Sequence, residues 1–107
     1  MRTHTTLLIA ALLFSMSAGA NCVLPAPPSH IPDGHSANEQ EMKSAMRTLQ
    51  QYNDDVNEYT QCLMFQLHQN RLSIDDMQKH QADALNTLAV VAGHFNEQVR
   101  IFKTRHS

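Results

Sequence analysis

Histidine, methionine, carboxylate and cysteine are the residue types in this chain that could do chemistry. His30, His35, His68, His80, His94 and His106 lie beyond residue 20. Imidazole is the commonest metal ligand. In the hairpin derived below, His35 and His106 fall at the same end, with His30 nearby. A copper or zinc site, or a metal sensor, using His30, His35 and His106 is therefore the alternative functional reading. No two of these histidines stand four apart, and neither HxH nor HExxH occurs. Met42 and Met46 are one helical turn apart, and Met64 and Met77 lie toward the other end. Thioethers suit Cu(I), but Met42 and Met77 fall on a helical seam, where methionine is ordinary core filler. The acids Asp54, Asp55 and Glu58, and the pair Asp75 and Asp76, resemble catalytic carboxylates only in number. Acid–base work needs a concave, partly desolvated site, which a thin helical hairpin lacks. Solvated faces and helix capping explain them. The reading is of a non-enzyme with no catalytic residues and no cofactor.

Cysteine chemistry is limited to Cys22 and Cys62. No CxxC occurs, so nothing supports thiol–disulfide catalysis. Two cysteines in an exported chain most simply form one disulfide, the alternatives being intermolecular pairing or free thiols. Export is read from residues 1–20. Arg2 is positive, Leu7 to Phe14 is an unbroken apolar run, and Ala18-Gly19-Ala20 fits cleavage after Ala20. That run is too short to span a bilayer, which takes roughly 20 apolar residues. The expected destination is secretion into an oxidising compartment.

The remainder is small enough for one domain, and marginal on hydrophobic burial alone. The chain has 8 Lys and Arg against 10 Asp and Glu, a net charge of −2. Losing Arg2 with the leader makes the rest more negative. A weakly acidic chain with no basic stripe argues against nucleic acid and against electrostatic binding to anionic lipid.

Residues 21–35 hold all four prolines. They should be extended and polyproline-like, with a turn at Pro32-Asp33-Gly34. Ser36-x-x-Glu39 reads as a capping box that opens a helix over about 37–69. Met42, Leu49, Val56 and Leu63 recur every seven residues, and Ala45, Tyr52 and Tyr59 fill the complementary position. Asn70 can take the left-handed conformation that stops a helix. Ser73-x-x-Asp76 caps a second helix over about 74–105. Its apolar seam is Ile74, Leu88, Phe95 and Phe102, with Met77, Ala84 and Val91. The predicted fold is all-α: an antiparallel, coiled-coil-like two-helix hairpin over 36–107. Pairing residues whose numbers sum to 143 or 144 aligns both seams throughout, as in Met42 with Phe102 and Tyr59 with Ala84.

The disulfide fits this frame. Cys62 lies roughly 37 Å along the first helix. The 14 residues between Cys22 and the helix start reach about 43 Å as polyproline. The N-terminal segment is thus expected to run back along the hairpin and be pinned at Cys62. Val23, Leu24, Pro25 and Ile31 would cover apolar positions flanking the seam, with Met46, Phe65, Leu85, Ala92 and Val99 as candidates.

The segment Cys22-x-x-Pro25-x-Pro27-Pro28-x-x-Ile31-Pro32-Asp33-Gly34, with Met42, Tyr52 and Tyr59-x-x-Cys62-Leu63, resembles a group of small exported helical proteins of proteobacteria. The similarity is clearest over residues 22–63. It implies a periplasmic location and no particular activity.

Met64, Phe65, Val90 and Ile101 are apolar but off the seam, and are the expected surface for a protein partner or for self-association. For Phe65 the alternative is packing beside the disulfide. The functional expectation is a protein-interaction module of the cell envelope: an adaptor, a chaperone-like accessory, or an inhibitor or immunity protein.

Overall fold

The computed structural model describes residues 21–107. The expected leader lies outside the described residues. Two helices account for the fold: α1 over Glu39–His68 and α2 over Ile74–His106. They pack against each other as an antiparallel hairpin, and no strand occurs among the described residues.

Each helix end has a local cause. α1 starts two residues later than the Ser36 capping box implies. Asn38 is the N-cap, its Oδ1 accepting from the Glu41 amide at 2.8 Å, and its Nδ2 reaches the Glu41 carboxylate at 3.2 Å. The amides of Ser36 and Ala37 are already used, because both donate to the Asp33 carbonyl, at 3.1 and 2.8 Å. That turn draws Ala37 into the core, where it is buried with Met42 and Phe95. α1 ends as expected at Asn70, which has φ 55°. The Asn70 amide donates to Leu67 O at 3.0 Å and the Arg71 amide to Gln66 O at 2.9 Å. This is the Schellman pattern, with asparagine in place of the usual glycine. Ser73 caps α2, its Oγ accepting from the Asp76 amide at 3.1 Å.

The seam carries the core. Val56 is fully buried at its centre, with Tyr52, Tyr59 and Leu63 from α1 and Met77 and Ala84 from α2. A second cluster at the open end joins Ala37, Met42 and Phe95, with Phe102 and Val99 against them. Tyr59 shares a cluster with Ala84, and Met42 with Phe102, as the register requires. Burial of each large side chain contributes about 1.5–3 kcal/mol. A two-helix layer supplies few of them.

Residues 21–33 supply the rest as an irregular strap. Cys22 is bonded to Cys62, with S–S 2.02 Å and Cα–Cα 5.7 Å. Ile31 packs on the open-end cluster, and Pro32 and Gly34 are buried. At that end the Gly34 amide donates to Gln98 Oε1 at 2.8 Å. The Arg105 guanidinium donates to the carbonyls of His35 and Ala37. The strap is therefore fixed at both ends: covalently to α1, and by close packing and hydrogen bonds to α2.

The face it covers differs from the expectation. The strap lies over the flank of α1 that carries Glu41, Ser44, Thr48, Asp55 and Cys62. Met46, Phe65 and Leu85 are exposed, and Val23 and Leu24 point to solvent rather than covering the seam. The physical reason is helix phase. Cys62 follows Tyr59 by three residues, which puts it on one side of the seam. Met46 and Leu85 belong to the other side, and a strap bonded to Cys62 cannot reach it.

Candidate functional site

The uncovered side of the hairpin is a trough between α1 and α2. Toward the middle of the helices it widens into an open depression of about 660 Å³, floored by Leu49, Leu85, Leu88 and Ala92. Toward the open end lies a second, of about 420 Å³, floored by Met42, Met46, Phe95, Val99 and Phe102. Both follow from one sequence feature. Apolar residues occur at the two seam positions and also at the next position round: Met46 on α1, and Leu85, Ala92 and Val99, each seven apart, on α2. The seam buries only part of this widened stripe. The strap serves the opposite flank, so the remainder faces water.

The rim is polar and uneven in charge. Lys43, Arg47 and Lys103, with Glu39, edge the open-end depression. Lys43 Nζ pairs with Glu39 Oε1 at 3.0 Å, which holds the Glu39 carboxyl below its usual pKa. Gln50, Asn53 and Asp54 edge the central depression. The trough thus runs from a basic end to a neutral-to-acidic middle.

The four residues expected as a partner surface do not line this trough. Met64, Phe65 and Val90 are exposed, Val90 at 72%, and Ile101 is half-buried. Phe65 lies three residues beyond Cys62 and is 52% exposed, so it is not sealed beneath the strap. Met46, Leu85, Ala92 and Val99, expected beneath the N-terminal segment, line the uncovered trough instead. The phase of Cys62 was the signal that could have placed them.

The three histidines of the metal reading are near one end but engaged separately. His35 Nδ1 lies 2.9 Å from Asp33 Oδ1. His106 Nε2 lies 2.9 Å from the Arg105 guanidinium, a cation that opposes a second cation there. His30 sits against α1 beside Glu41 and Ser44. Among the described residues no group of three or more His, Cys, Asp or Glu side chains is placed to hold a metal ion. Asp33 keeps its carboxyl below the usual value, because it accepts from the backbone and the side chain of His35. Burial pushes the Tyr52 hydroxyl up. No helix among the described residues is long and apolar enough to cross a membrane.

No family model, curated protein or solved structure matches the chain.

Proposed function

We propose that this chain is an exported, non-enzymatic interaction module of the cell envelope that docks a protein on its uncovered trough. The observation that carries the reading is one-sidedness. Two fixed points hold a strap over one flank of the seam. The other flank keeps Met46 and Leu85 exposed above an apolar floor. A monomer this small has little core to spare, and contiguous exposed apolar surface rimmed by polar residues marks interaction sites. Export rests on the leader-like residues 1–20 and on a disulfide that persists in oxidising compartments.

The test is site-specific photocrosslinking in the exporting cell. A photoreactive residue at Leu85 should give discrete protein adducts. The same residue at Val90, more exposed but outside the trough, should give few. Equal yields from the two positions, or none from Leu85, would reject the reading.

A further inference from the structure

Resting on the interaction reading above, we infer that the occupant of the trough is a second copy of this chain, packed end for end so that two hairpins close into a four-helix layer pair. The charge along the rim is the argument. Arg47 and Asp54 lie on one stripe of α1, seven residues and about 10 Å apart, at the edges of the open-end and central depressions. A two-fold axis between them sets Arg47 of each copy beside the partner subunit's Asp54. The same operation gives both pairs at once, because a two-fold interface is isologous and self-complementary. A parallel stacking would instead set the basic ends, with Lys43, Arg47 and Lys103, against each other.

The opposite rim permits close approach. Gly93 lies one turn from Ala89 on α2, near the level of that axis. A Cβ built at Gly93 meets nothing within 4 Å, so no packing within the chain calls for a glycine there. Glycine in a helix interior is destabilising relative to alanine, and a close-packed helix from another chain supplies a reason for it. The size is adequate. From residue 85 to 103 the trough runs roughly 27 Å, and two helices are about 20 Å wide. That footprint is about two-thirds of the ~800 Å² per partner of a standard interface, a size that suits a weak, reversible dimer. Apolar floors would meet at the centre, with the charges at the rim, where they set orientation more than affinity.

Sedimentation equilibrium of the oxidised protein over a wide concentration range tests this. A monomer–dimer equilibrium is expected. Leu85→Glu should weaken it by at least about tenfold, because a carboxylate enters an apolar contact, with the helical circular dichroism unchanged. Arg47→Asp and Asp54→Arg should each weaken it about two- to fivefold, because each breaks both rim pairs. The double variant R47D/D54R should recover most of the loss. A double variant no tighter than the singles would overturn the end-for-end arrangement. A monomer at every concentration up to about 1 mM, with Leu85 still crosslinking to other proteins in the cell, would overturn self-pairing and leave the interaction reading intact. A monomer with no Leu85 adducts would overturn both.

Discussion

Gly34 rests its Cα directly on the backbone of Gln98. A Cβ at residue 34 would lie 2.2 Å from the Gln98 carbonyl oxygen and 3.0 Å from the Phe102 amide nitrogen. The Gly34 amide meanwhile donates to the Gln98 side chain at 2.8 Å. This contact carries the strap across from α1 to α2, 64 residues apart in sequence, and closes the open end of the hairpin.

Gly34→Ala should therefore destabilise the fold by about 1–3 kcal/mol, the range for overpacking against atoms that cannot move aside. The obstacle is helix backbone rather than a flexible side chain. Gln98→Ala removes the partner of a buried amide and should cost about 1–2 kcal/mol. Urea denaturation of each variant reads both values. A Gly34→Ala variant as stable as the parent would mean that the strap does not pack on α2.

Reduction of Cys22–Cys62 should cost about 4 kcal/mol in the chain-entropy account of a 40-residue loop. The expected structural effect is local. The amides of Gly34, Ser36 and Ala37 should keep their protection, because they donate to Gln98 Oε1 and to the Asp33 carbonyl, which the disulfide does not touch. A rise at Gly34, Ser36 and Ala37 larger than the uniform rise that lower global stability brings to both helices would show that the strap's hold on α2 depends on the disulfide.

The inter-helix turn makes a sharp prediction at Asn70, whose φ of 55° is left-handed. Asn70→Gly should be neutral or slightly stabilising. Asn70→Ala should cost about 1 kcal/mol and Asn70→Val more, because a β-carbon is penalised in this region and branching adds to it. The thermal midpoints of the three variants should fall in that order.

Acid sensitivity should come from depressed carboxyls. Asp33 is held below the usual 3.8 by hydrogen bonds from His35, and Glu97 is lowered by Arg100, whose Nε donates to it at 3.0 Å. A carboxyl lowered in the folded state stabilises fully above its unfolded pKa, and that contribution is lost as pH falls through the folded value. The denaturation midpoint should be flat near neutrality and decline below about pH 4. Asp33→Asn should reduce the decline. An unchanged profile in that variant would remove the Asp33 turn from the account.

Much of this architecture was legible because heptad spacing is a strong signal and its register can be cross-checked between two helices. The seam from Met42 to Phe102, the stop at Asn70 and the cap at Ser73 all follow from residue type and position. The start of α1 was less so. Ser36-x-x-Glu39 and Asn38-x-x-Glu41 are overlapping capping signals, and the Asp33 turn, which takes the Ser36 and Ala37 amides, decides between them. The trough is less legible for a related reason. Met46, Leu85, Ala92 and Val99 are apolar positions beside the seam, and their spacing does not say which flank the strap takes. Its side is set by the phase of one cysteine, which span lengths alone do not register.

The most direct test of the central claim, that the uncovered trough is a docking surface, compares two methionines. Met46 lies in the trough and Met64 outside it, yet their exposures in the isolated chain are nearly equal, 45% and 46%. Oxidative footprinting in the exporting cell should label Met64 freely and leave Met46 protected, while the dilute purified protein labels both alike. Equal labelling of Met46 and Met64 in the cell would contradict the account.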